Sequence, residues 1–358
     1  MEDKENFKSN IKAIIAAFVV AAVLIGGFFL IKALTHPRDY TKIIVSNFAA
    51  YDLTRAVMGD GNKITLLVEP GKDLHTYEPT PDDLKAIESA DLFIYIGGES
   101  EEWVNKLIGE EQGYNEKFLR LADFINLRPE PKTLEEQLEQ EKEQNNQNDY
   151  YQYGSDQEYD EHIWTSITNA ITMTHVIVDR LSSIYPENRE KFYNNSEKYT
   201  YELNDIDQQF RRAVMYATKK SIIFADRFPF QYMATDYNLN YYAAFPGCSD
   251  QTEASSQTIA TLIDKAKQEG VKVILKSEMS SDKLAQTVAS EVGAKVLELN
   301  AAHNISRQDF DAGVTYADIM TKNLAVIKEA LESNDPYEEQ YQRQLEEQRA
   351  YRETLYQE

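Results

Sequence analysis

Cysteine occurs once in this 358-residue chain, as Cys248. No intrachain disulfide can form, and the paired-cysteine spacing of zinc fingers is excluded. Basic charge is scarce as well: 37 lysines and arginines stand against 60 acids, a formal net charge of −23. Binding a phosphate backbone needs a basic face, so nucleic acid is not an expected partner. The acidity fits a surface that concentrates cations, and fits plain solubility too. No glycine-rich phosphate loop and no nucleophile–base pair is visible, so no enzyme is expected. Histidine is also rare, with five residues. Three of them, His75, His162 and His303, sit in loops beside predicted strands or helices. His36 flanks an apolar run, and His175 reads as a half-buried helix residue.

The one long apolar run is residues 13–31, AIIAAFVVAAVLIGGFFLI, between Lys12 and Lys32. Its nineteen residues, at about 1.5 Å rise each, approach the thickness of a bilayer core. No good small-residue cleavage site follows, and no cysteine follows closely enough for a lipid anchor. The run therefore predicts an uncleaved transmembrane signal anchor, within a short N-terminal region 1–38. The large domain beyond it is placed outside the membrane on functional grounds.

Strands and helices then alternate. Strands are predicted at 42–47, 63–68, 91–96 and 118–121, with helices at 50–58, after Thr80, and around Trp103. Thr80 caps its helix, with Pro81 at the first position and Asp82 and Asp83 in the first turn. Such alternation implies a parallel sheet covered on both faces. Residues 130–161 interrupt it with eleven acids and two lysines, and read as a mobile surface insertion. A helix over about 166–183 completes a first lobe, 39–185. Within the linking segment 186–219, the apolar spacing of Phe192, Ser196, Tyr199, Leu203, Ile206, Phe210 and Ala213 predicts one long helix over 187–217, a strut between lobes. The alternation then repeats in a second lobe, 220–334. Its strands are predicted at 220–225, 241–245, 272–276 and 295–299. The charged tail, 335–358, reads as a solvated helix outside the fold. The fold class is α/β, two lobes with parallel sheets joined by a long rigid helix.

In open parallel sheets, ligands bind beyond the carboxyl ends of the strands. His75 follows the second strand of the first lobe. Asp226 follows the first strand of the second lobe, Glu278 the third, and Asn300 and His303 the last. His162 follows the acidic segment. All of these reach one common edge, where imidazoles suit Zn²⁺ and carboxylates suit Zn²⁺ or Mn²⁺.

The block GKDLHTYEPTPDDLKAIESADLFIYIGGESEEWVNKL resembles the first lobe of the zinc/manganese solute-binding proteins of ABC importers. DEHIWTSITNAITM is similar to the same family's second histidine motif. FPFQYMATDYNL, EGVKVILKSE, KLAQTVASEVGAKVLEL and GVTYADIMTKNLAVIKEAL follow in family order, so the likeness spans about 42 to 333. It implies two chelatase-like (βα)4 lobes with a metal between them. His75 and His162 match the first two family ligands. Arg227 stands where the family carries histidine or glutamate, and Asp226, one residue earlier, is its substitute. Asn300 stands where some members carry a ligating Asp. Glu278, five residues before Lys283, matches other members and is the preferred fourth ligand, with His303 in reserve. The resemblance implies a membrane-anchored extracytoplasmic receptor. It would capture Zn²⁺, with Mn²⁺ second, using His75, His162, Asp226 and Glu278, and deliver it to an ABC permease. Arg227 and Asn300 leave open a degenerate receptor acting as an adhesion or scaffold module. A zinc hydrolase is the remaining alternative.

Overall fold

A computed structural model describes residues 42–59, 64–108, 116–131, 133, 134, 136, 138, 159–249 and 253–355. The apolar run 13–31 lies outside them. Among the described residues, no helix is long and apolar enough to cross a membrane.

The first lobe carries strands β1 (Ile43–Val45), β2 (Ile64–Leu66), β3 (Leu92–Tyr95) and β4 (Phe118–Arg120). They form one parallel sheet in the order β2-β1-β3-β4. β1 and β3 are wholly buried, which is why they read as continuous apolar runs rather than alternating ones. Helices α1 (Phe48–Met58), α2 (Pro81–Ser89) and α3 (Glu102–Ile108) connect the strands. α2 starts as its sequence predicts. The Thr80 hydroxyl accepts from Asp83 N while the Asp83 side chain accepts from Thr80 N, so two orphan donors of the helix start are satisfied reciprocally.

Helix α4 (Ile167–Ile184) leads into α5 (Arg189–Met215). At 27 residues, α5 is about 40 Å long. It buries Phe192, Ser196, Tyr199, Leu203, Ile206, Phe210 and Ala213, the same stripe that the spacing predicts. It packs on α1 and α4, and on α10 (Tyr316–Ala330) from the end of the second lobe. This bonding to both lobes makes it a strut. Leu203 is fully buried on that stripe. Leu203→Ala should therefore cost about 3 kcal/mol, read as a lower urea midpoint with an unchanged slope.

The second lobe holds β5 (Ser221–Phe228), β6 (Asn240–Pro246), β7 (Val273–Ser277) and β8 (Lys295–Leu299) in a parallel sheet ordered β6-β5-β7-β8. Helices α6 (Gln231–Asp236), α7 (Ser256–Glu269), α8 (Lys283–Val292) and the short α9 (Arg307–Asp311) fill its connections. β5 runs on past the predicted 225, and its register against β6 shifts between Phe224 and Arg227. That irregularity decides where Asp226 points.

Two expectations need correction. The ends of the acidic segment 130–161 are built into the structure: Pro129 bridges Tyr159, and Leu134 is buried in the second lobe's core with Leu138 packed beside it. The intervening 139–158 lie outside the described residues. The tail forms helix α11 (Glu338–Leu355), but it is docked rather than free. Leu345 is buried, and Arg349 and Arg352 pair with the buried Asp205 of α5. Regularly spaced arginines on a polar helix conceal such docking in the sequence.

Candidate metal centre

His75, His162 and His303 come together, each offering a ring nitrogen within 4.8 Å of the others. His75 arrives on the loop after β2. His75 N donates to Asp73 Oδ1 at 3.0 Å, which fixes the turn. His162 ends the acidic segment just before α4 and is fully buried. His303 lies on the loop after β8. Its ring is edge-on to His162, with centroids 4.4 Å apart, and to Trp164 at 5.3 Å.

Hydrogen bonds set the tautomers. Asp160 Oδ1 accepts from His162 N at 2.9 Å and lies 2.5 Å from His162 Nδ1. An oxygen already accepting a backbone N–H receives the ring proton too, so Nδ1 is the donor. Nε2 then keeps its lone pair, and it is buried with no hydrogen-bond partner among the described residues. The same logic applies to His75. The Ser100 hydroxyl donates to Glu161 Oε1, so at 2.8 Å it accepts from His75 Nδ1. His75 Nε2 faces His303 Nε2 at 3.2 Å. Nitrogens about 2.05 Å from a tetrahedral zinc lie about 3.3 Å apart, so this spacing suits a shared ion.

Electrostatics reinforce this preparation. Burial holds His162 well below the ordinary imidazole range, assisted by His75 and Arg227. Burial does the same to His303, with His162, His75 and Arg227 adding to it. Both rings are therefore neutral near pH 7, the form that ligates. Burial also raises the carboxyls of Asp160 and Glu161. Both end the acidic segment 130–161, whose composition gives no sign that they are buried. Their signal was adjacency: DEH puts two acids directly before a ligand candidate.

Asp226 and Glu278 do not join the three imidazoles. Because β5 shifts register at this point, the Asp226 carboxylate turns to the backbone, accepting from Arg227 N at 2.9 Å and Ser277 N at 3.1 Å. It ties the ends of β5 and β7 together. Glu278 is folded onto the loop that carries His303, accepting from Ala301 N at 2.7 Å and from His303 N. Burial pushes its carboxyl up to about 7. Asn300 organises the same loop: its Oδ1 accepts from Ala302 N at 2.7 Å, and Asn323 grips its backbone from α10. Ala302 takes φ +52, and the Trp164 indole donates to Ala301 O at 2.7 Å. Arg227 reaches across to Asp73, with Nη2 3.7 Å from Oδ2. A cavity of about 190 Å³ opens beside the histidines, lined by His75, His303, Asp226, Arg227 and Glu278 among others.

The family model described as the periplasmic component A of a zinc-uptake complex (ZnuA) matches residues 43–330. The high-affinity zinc uptake system protein ZnuA of Bacillus subtilis is 30% identical over 296 residues, covering 82% of this chain and 88% of that protein. The zinc-binding lipoprotein AdcA of Streptococcus pneumoniae is 29% identical over 294 residues. That match covers 82% of this chain but only 56% of AdcA, so the chain spans little more than half the length of this relative. The crystal structure of the Zn(II)-bound ZnuA-like domain of the same AdcA superposes with a TM-score of 0.64 at 28% identity, covering 81% of this chain and 98% of the domain. Two parallel-sheet lobes, a long helix between them and a sequence match across four-fifths of the chain have one meaning: the chain belongs to the ZnuA family.

Proposed function

We propose that this protein is a non-enzymatic metal receptor. It captures Zn²⁺ at His75, His162 and His303 and hands it to the permease of an ABC importer. One observation carries this reading. Two imidazoles donate through Nδ1, so their Nε2 lone pairs converge on the place that the third ring faces. The zinc named in the relatives' descriptions agrees with that donor set. Three imidazole nitrogens favour Zn²⁺ over Mn²⁺, which prefers oxygen. This set replaces the expected pair of carboxylates: His303 takes the third position, while Asp226 and Glu278 hold the loops.

Two ligands stand in the first lobe and one in the second, 39–185 and 220–334, with the linking helix between. Release then requires only a small relative shift that withdraws His303, since a strut helix resists wide opening. The apolar run 13–31 serves in this reading as the anchor that keeps the receptor beside its permease on the extracytoplasmic side.

The direct test is Zn²⁺ calorimetry on the full-length protein and on His75→Ala. One ion per chain should bind at the imidazoles of the former, and its affinity should collapse in the latter. Equal affinities would sink the assignment. Asp160 offers a second measurement. Outer carboxylates that orient ligating histidines are worth about 10- to 100-fold in affinity. Asp160→Asn should lose that much while the circular dichroism of the fold is retained.

A further inference from the structure

Asn304 follows His303 on the loop after β8, and both it and Ile305 are buried. Its amide can face only one way. Oδ1 accepts from Ile305 N at 2.7 Å, so the opposite edge is the Nδ2 donor. Nδ2 crosses to the first lobe and donates to Glu69 O at 3.0 Å and to Lys72 O. An amide nitrogen carries two protons, one for each carbonyl. Those carbonyls belong to the turn that launches His75. Lys72 N donates to Glu69 O at 3.1 Å, Asp73 Oδ1 accepts from His75 N, and Leu74 between them is buried. One side chain therefore joins the His75 turn to the residue next to His303. The loop it reaches from is itself anchored, since Trp164 and Glu278 both grip the backbone of Ala301. Arg227 and Asp73 also face each other across the two lobes, but at 3.7 Å and partly exposed. Such a pair holds a geometry weakly.

We propose that Asn304 is a positioning residue that sets metal selectivity: by tying the His75 turn to the His303 loop, it holds their Nε2 atoms at a spacing that fits Zn²⁺ and is too narrow for a larger ion such as Cd²⁺. The inference rests on the imidazole reading. The two Nε2 atoms stand 3.2 Å apart, close to the roughly 3.3 Å expected around tetrahedral zinc. Cd²⁺ shares zinc's filled d shell and so has no geometric preference of its own. It differs chiefly in size, and its longer bonds need a wider pair of nitrogens. Widening the pair would pull the His75 turn from Asn304 and strand a buried amide without its acceptors. The two hydrogen bonds therefore resist the larger ion more than the smaller one.

The test uses the full-length protein in detergent. Competition with a chromogenic chelator gives the Zn²⁺ and Cd²⁺ affinities of wild type, Asn304→Ala and Asn304→Asp, with circular dichroism to check the fold. Asn304→Ala should weaken Zn²⁺ binding by at least about tenfold and Cd²⁺ binding much less, so the Zn²⁺-to-Cd²⁺ ratio falls. Aspartate has the same size and can still accept from Ile305 N, but it has no N–H for the two carbonyls. Its added charge attracts both ions alike, so the ratio should fall there too. A merely structural role would weaken both ions together. An unchanged ratio in the folded variants overturns the proposal, and leaves the imidazole reading standing if Zn²⁺ binding still requires His75. Zn²⁺ binding that survives His75→Ala overturns both.

Discussion

Replacing His303 with alanine is expected to weaken Zn²⁺ binding by at least about a hundredfold, roughly 2.7 kcal/mol. Losing a carboxylate that merely orients a ligand already costs about 10- to 100-fold, and a direct ligand should exceed that. His303 Nε2 stands 3.2 Å from His75 Nε2 and its ring lies against His162, so alanine leaves two nitrogens where three converge. The companion variant is Asp226→Asn. An amide oxygen can still accept from Arg227 N or Ser277 N, so affinity should change by less than about threefold, under ~0.7 kcal/mol. Competition with a chromogenic chelator measures both. If Asp226→Asn were crippled and His303→Ala intact, the ligand set would revert to the one that the resemblance implies.

The fold was legible because its determinants are local or periodic. Unbroken apolar runs such as Ile43–Val45 mark strands buried on both faces. Thr80-Pro81-Asp82-Asp83 announces a helix start through its own side chains. The stripe from Phe192 to Ala213 fixes a helix face by spacing alone. Docking of α11 was not legible. Its partner, Asp205, lies about 140 residues upstream in the chain, and nothing in a Gln/Glu/Arg pattern says which face will be covered.

The candidate metal centre was half legible. His75 and His162 lie in motifs whose neighbours already constrain them. Asp226 sits at an irregularity in β5 where its carboxyl turns toward β7, and such a shift leaves no mark in the residue pattern. His303 was held in reserve because its loop depends on distant groups: Asn323 on Asn300, Trp164 on Ala301, and Glu278 on Ala301 and His303. Each contact crosses at least one element, so spacing could not reveal it. Glu278 lies at the edge of the cavity, and its task in the proposed set is to hold the loop that carries His303.

That task gives the second large effect. Glu278 is held up to about 7, against an ordinary value of 4.5, chiefly by burial. Its proton is bound more tightly in the folded chain than in the unfolded one. Between about pH 4.5 and 7 the folded state therefore carries more protons, and stability falls as pH rises. The contribution is fully present below about 4.5, is lost through about 7, and changes no further above it. At about 1.4 kcal/mol per pH unit, the loss amounts to about 3 kcal/mol. Glutamine imitates the protonated acid, with one oxygen to accept from Ala301 N. In metal-free protein, Glu278→Gln should match wild type near pH 4.5 and exceed it by up to about 3 kcal/mol at pH 8. Urea unfolding at the two pH values measures the difference. Parallel curves for the two proteins would mean that Glu278 ionises in the folded chain as it does in water, and its hold on the His303 loop would then be a carboxylate's rather than an acid's.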